Sequence, residues 1–137
     1  MIGNKIRLGL FYMLYLGLCP VGIEAADPEV LKPRVPPAQI EKARSLENPF
    51  PSTSDNIKKG EALFHGKAFC VTCHGKDGKG FGNIPGLLGK LPRNFTDKDW
   101  QAERKDGELL WILKNGSAGT AMASFIPLVI TEEEAWH

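Results

Sequence analysis

The sequence predicts an all-α domain of short helices joined by substantial loops. Apolar residues recur at helical spacing in segments with recognisable caps, near residues 54–68 and 106–116. No alternation of apolar and polar residues recurs, so no sheet is expected. The 15 glycines and 10 prolines among 137 residues interrupt regular structure often, which keeps the helices short. That length has room for a single domain.

Residues 1–25 read as a secretory leader. Lys5 and Arg7 supply its basic start, Leu8 to Leu18 its apolar centre, and Ile23-Glu24-Ala25 a cleavage site before Ala26. A retained anchor is disfavoured, because the run is shorter than the roughly 18 to 20 residues that span a bilayer and Pro20 interrupts it. Acylation of Cys19 is disfavoured by bulky Leu18, where a small residue is expected. Without the leader's Lys5, Arg7 and Glu24, fifteen basic and fifteen acidic residues remain. That balance gives no footprint for nucleic acid.

Residues 26–51 carry Pro28, Pro33, Pro36, Pro37, Pro49 and Pro51 and few large apolar side chains, a composition of a tether or a wrapping arm. A short helix around Ala38 to Leu46 fits between the prolines. The folded domain is assigned to residues 52–137.

The first secure helix should start at Ser54 or Asp55 and run toward Cys70, with Ile57, Leu63, Phe64 and Ala68 as its apolar stripe. Gly60 inside it costs about 1 kcal/mol relative to alanine, which marks close packing against another helix. Gly75, Gly78, Gly80 and Gly82, followed by Pro85, Gly86 and Gly89, make a loop fitted around a flat object. A phosphate-cradling loop is a poor alternative, since no strand precedes it and no GKS or GKT follows. A second helix should run from Asp106, as N-cap, to Asn115-Gly116, with Leu109 to Leu113 buried on most sides. Thr131-Glu132-Glu133-Glu134 is a capping box. Such a box announces a helix of ten or more residues where about six remain, so the last helix is expected to be cut short.

Cys70-Val71-Thr72-Cys73-His74 is a CxxCH motif. Its chemistry is specific: two thiols add across the vinyl groups of haem, and the adjacent histidine ligates the iron. A thioredoxin-like CxxC would need a preceding strand, whereas Phe64 to Phe69 reads as helix. A structural zinc site would need four ligands, and only His65 and His137 remain as nitrogen donors. The implied cofactor is one haem c, bound covalently. For the sixth iron position, Met122 is the sole methionine left once Met1 and Met13 leave with the leader. It sits among Gly119, Ala121 and Ala123, where backbone can approach a haem face. Methionine as core filler is the plain alternative. His65 is the rival ligand, five residues before Cys70 and so expected beside the porphyrin.

Residues 54–137 resemble the class I (mono-haem) cytochromes c of the small bacterial periplasmic type. The matching pieces are Gly60 with Phe64, Cys70 to His74, Pro85 with Leu87 and Gly89, Asp106 to Leu109 with Ile112, Asn115-Gly116, Gly119 to Met122, and Phe125. The resemblance implies a fold of short helices around the haem, with the first and last helices crossing at Gly60 and Phe64. It implies that the carbonyl of Pro85 braces His74, and it directs Arg93 and Asn94 toward a haem propionate. Ala123 departs from the family, which commonly has proline after the axial methionine.

With His74 and Met122 on both faces, no coordination position is left for a substrate, so a periplasmic one-electron carrier is expected rather than an enzyme. The alternatives are a cytochrome subunit of a larger periplasmic or membrane-associated oxidoreductase, and an open-site haem enzyme or gas sensor. The partners implied are redox proteins, donor and acceptor. Trp111, Phe81 and Phe95 are candidate haem walls, and Lys58, Lys59, Lys67, Lys76 and Lys79 a candidate rim for an acidic partner.

Overall fold

The computed structural model describes residues 28–80, 82 and 89–137. The expected leader, Phe81 and Pro85 lie outside the described residues. Among those described there are seven helices and no strand: α1 (Pro28–Leu31), α2 (Pro37–Arg44), α3 (Ser54–His65), α4 (Val71–His74), α5 (Lys98–Glu103), α6 (Asp106–Asn115) and α7 (Glu132–Ala135). None is long and apolar enough to cross a membrane.

The proline-rich arm wraps. Pro36 and Pro37 start α2 where a missing N–H costs nothing, and α2 lies along α6 while α1 lies along α5. Val35 and Ala43 are 4% and 2% exposed, so the arm contributes to the core beside Leu110, Trp100, Ala68 and Ile130. A Cβ on Gly107 would collide with the carbonyl oxygen of Ala43 and lie 2.8 Å from Leu46 Cβ, so only glycine lets α2 pass that closely. Next to it, Glu108 is 2% exposed and accepts from Arg44 Nε at 2.8 Å and from Arg104 Nη1 at 3.2 Å. Arg104 also donates to the carbonyl of Leu31. One buried carboxylate thus joins both halves of the arm to α6.

The N-cap of α3 is Thr53, one residue ahead of the expected start, with Oγ1 accepting from Asn56 N at 3.3 Å. The helix does not continue to Cys70. It ends at His65, and Gly66 closes it by donating to Ala62 O at 2.9 Å. Ala68 then turns inward, 2% exposed, and Phe69 takes a left-handed φ of 52° that reverses the chain into α4. A bulky side chain there costs on the order of 1 kcal/mol. Ile57, expected in the apolar stripe, is 57% exposed.

Helix α5 has no counterpart in the sequence-based reading. Asp97 caps it, accepting from Trp100 N at 3.0 Å, and Trp100 is buried beneath it. In α6 the N-cap is Lys105 rather than Asp106, and Glu108 reaches back to Lys105 N. Of Leu109 to Leu113 only Leu110 is fully buried. The capping box at Thr131 forms as expected: Thr131 Oγ1 accepts from Glu134 N at 3.1 Å, and Glu134 accepts from Thr131 N at 2.8 Å. Lys67 and Lys114 pair with Glu134 and Glu132 at 2.8 and 2.7 Å, tying α7 to the α3 and α6 regions. The backbone of Gly60 meets the carbonyl of His137, where a Cβ would collide. The glycine of the first secure helix therefore does mark a close crossing.

Candidate haem-attachment site

The left-handed turn at Phe69 delivers Cys70 as the N-cap of α4, whose single turn holds Cys73 and His74. Cys70 and Cys73 are three residues apart and so share one side of that turn. Both are free thiols of intermediate burial. The Cys70 thiol donates weakly to Ala68 O at 3.7 Å, and burial pushes its pKa above the ordinary 9.0, with Cys73 nearby adding to the rise. The group therefore stays protonated at neutral pH.

His74 is 9% exposed. Its Nδ1 lies 3.2 Å from the carbonyl oxygen of Arg93, which fixes that nitrogen as the donor, and its ring stacks on Phe95 at 4.3 Å between centroids. Burial lowers the His74 pKa below the ordinary 6.5, and the Arg93 carbonyl opposes part of that fall. The imidazole is thus neutral at pH 7, and among the described residues only Nδ1 has a hydrogen-bond partner. Pro85, expected to brace this ring, lies outside the described residues; the carbonyl seen facing His74 is Arg93's.

The glycine-rich loop binds its own chain. Gly80 N donates to His74 O at 2.8 Å, Gly82 N to Cys73 O at 3.0 Å, and Phe95 N to Gly78 O at 2.8 Å. These bonds lock α4 to the 92–95 segment, which positions the Arg93 carbonyl and the Phe95 ring against His74.

Met122 is half-buried in the loop after α6. Its carbonyl accepts from Ser117 N at 2.8 Å and its N–H donates to Thr120 Oγ1 at 3.1 Å, so the backbone that presents it is fixed at both ends of the residue. His65 is exposed and packs edge-on against Phe64, as a residue flanking the site. His137 sits on Phe50 at 4.3 Å, with its Nδ1 buried and unpaired. The Arg93 side chain is partly buried, and burial with Arg34 and Arg104 nearby lowers its pKa. No signal in the sequence pointed to the Arg93 carbonyl, because any residue can supply one.

These groups fit a covalently bound haem. Two thiols on one side of a helical turn can form two thioethers, and a neutral imidazole with its far nitrogen braced by a carbonyl is the form that ligates iron. Among the described residues no three His, Cys, Asp or Glu side chains gather as a protein-only metal site requires. An apolar groove of about 550 Å³ runs along α3 past Gly60 and Phe64 to Cys70, with Leu113 and Ile130 on its other wall.

Residues 55–137 match the family described as cytochrome c oxidase, cbb3-type, subunit III. Among solved structures, a chain of the reducing HAO-like protein complex of Kuenenia stuttgartiensis is similar, with a TM-score of 0.53 and 23% identity. The match covers 64% of the present chain and 43% of that one, so the present chain spans less than half of its length. At that identity the likeness speaks for the fold. No curated protein matches the chain.

Proposed function

From the premise that the chain belongs to the family of cytochrome c oxidase, cbb3-type, subunit III, and so carries haem c for electron transfer, we propose that it is a periplasmic one-electron carrier with His74 and Met122 as axial ligands. When bound, the haem supplies a reversible one-electron couple at its iron. The observation that carries the reading is the His74 ring, held neutral by burial and oriented by the Arg93 carbonyl with Nε2 left to ligate. Cys70 and Cys73 would hold the group covalently, and Phe95, stacked on the face of the imidazole, limits the ring's rotation. Met122 is offered from a loop whose hydrogen bonds fix its backbone, which suits a ligand that must not move between oxidation states. The leader read in residues 1–25 supports the compartment, because thioether attachment to haem takes place outside the bacterial cytoplasm.

The test is optical. The oxidised protein is expected to show the red-edge methionine-to-iron charge-transfer band, and Met122→Ala is expected to lose it and to bind carbon monoxide when reduced. Ready carbon monoxide binding by the unmodified protein would overturn the carrier reading in favour of an open-site haem protein.

The family's description as an oxidase subunit favours a second reading, in which the same electron transfer is performed within a larger oxidoreductase. Native purification separates the two: a carrier elutes alone, a subunit with its complex.

A further inference from the structure

The arm lies ahead of the family match, which begins at residue 55, yet one of its carbonyls enters a network that ends at His74. Leu31 O accepts from Arg104, the residue that closes α5. The Arg104 side chain is 7% exposed and donates to Glu108 as well. A guanidinium offers its donors in a rigid fork, so one that binds two groups at once fixes its own place between them. The end of α5 is thereby set by the arm and α6 together.

Helix α5 in turn holds the chain beside His74 at two points. Gln101 Nε2 donates to Phe95 O at 2.6 Å, and the Trp100 ring lies 5.5 Å from the Phe95 ring. Phe95 stacks on His74 at 4.3 Å, and two residues before it the Arg93 carbonyl faces His74 Nδ1 at 3.2 Å. That distance is at the outer end of the range for an N–H···O bond, so any further separation weakens it. Burial first, and then Arg34 of the arm and Arg104, lower the Arg93 pKa, so the arm also acts on this residue electrostatically.

We propose that the arm is a positioning element for the proximal ligand: through Leu31 and Arg104 it seats α5, and α5, through Gln101 and Trp100, sets the Arg93 carbonyl against the His74 ring. Arg104 and Gln101 are positioning residues, each acting through the chain between it and that ring. A carbonyl held firmly on Nδ1–H makes the imidazole a more basic ligand, which favours the oxidised iron. The inference rests on the reading of His74 as an iron ligand and is independent of Met122.

Two properties of the holoprotein are measured well below its thermal midpoint: solvent exchange of the His74 Nδ1–H, by NMR on the reduced form, and the reduction potential. Gln101→Leu keeps the side chain's bulk and removes its donor. Arg104→Lys keeps a cation for Glu108 and gives up the fork that also reaches Leu31. Each is expected to speed Nδ1–H exchange about fivefold, the factor that one hydrogen bond of ordinary net strength represents, and to shift the one-electron equilibrium about threefold toward the reduced form. Backbone amides of α6 are expected to keep their exchange rates. Val35→Ala, which deletes two methyl groups from the buried part of the arm, is expected to act in the same direction and tests the arm should Arg104→Lys not fold. Unchanged exchange and potential in Gln101→Leu would overturn the proposal. So would faster exchange spread equally over α6 with the potential unmoved, which is loss of stability alone. A response to Gln101→Leu with none to Arg104→Lys or Val35→Ala would confine the brace to α5 and overturn the arm's part in it. Failure of the underlying reading shows itself separately, as the absence of iron-shifted imidazole signals in the unmodified oxidised protein.

Discussion

Gly60 and His137 meet backbone to backbone, with no room for even a methyl group between them. Gly60→Ala is therefore expected to push α7 away from α3 and to cost about 1 to 3 kcal/mol, the usual range for overpacking a fitted contact. Denaturant unfolding of the holoprotein measures it. Gly107→Ala, which would strike the Ala43 carbonyl, is expected to cost a similar amount. The two contacts share no partner, so the double variant should lose the sum of both within about 0.5 kcal/mol.

Glu108 is buried between Arg44 of the arm and Arg104. Glu108→Ala leaves the nearly buried Arg104 guanidinium without its carboxylate and opens a void, and is expected to cost about 3 kcal/mol. Arg44 is 42% exposed at its side chain, so Arg44→Ala should cost about 1 kcal/mol or less. Limited proteolysis gives an independent readout: cleavage within residues 28–47 should accelerate in Glu108→Ala well beyond the rate in Arg44→Ala.

Phe95 stacks on the His74 ring at 4.3 Å and also contacts Phe64 and Trp100. Phe95→Ala is expected to destabilise the fold by about 2 to 3 kcal/mol, less than full burial of the ring would give. Arg93→Ala keeps the backbone carbonyl that His74 uses and should leave the proximal imidazole signals of the paramagnetic NMR spectrum almost unmoved. A large displacement of those signals in Arg93→Ala would contradict the assignment of that carbonyl.

Glu134 has a carboxyl held below its ordinary value of 4.5, chiefly by the hydrogen bond from Lys67 and then by the Thr131 N–H. A lowered folded-state value means that the unfolded chain takes up this proton first as the solution is acidified. The stability this carboxylate contributes is therefore complete above about pH 4.5 and is lost as pH falls through its lowered value. Glu134→Gln should flatten the stability profile in that acid window and leave its slope near neutrality unchanged, as read from denaturation midpoints against pH.

Much of the site was legible in the sequence because its chemistry is local. Cys70, Cys73 and His74 are fixed by a five-residue spacing, and Gly60 and the Thr131 box signal themselves through a helix rule and a cap rule. The turn at Phe69 was not legible: Phe64 to Phe69 reads as helix, and only the need to reverse into α4 stops α3 at His65. Helix α5 is short, and its one deeply buried side chain, Trp100, gives no periodicity to detect, although Asp97 was available as a cap. The Arg93 carbonyl and the packing of α2 against α6 are tertiary facts. Gly107 was the trace they left in the sequence, and it could be read as family pattern without disclosing what it packs against.

The packing of the arm has a mechanical result. Stretched out, the twenty residues from Pro28 to Glu47 would span about 65 Å and give the cytochrome unit a long leash. Folded onto α5 and α6 through Leu31, Val35, Ala43 and Arg44, they give it almost none. The arm from Pro28 to Glu47 is therefore a strap laid across α5 and α6, part of the body it was expected to tether.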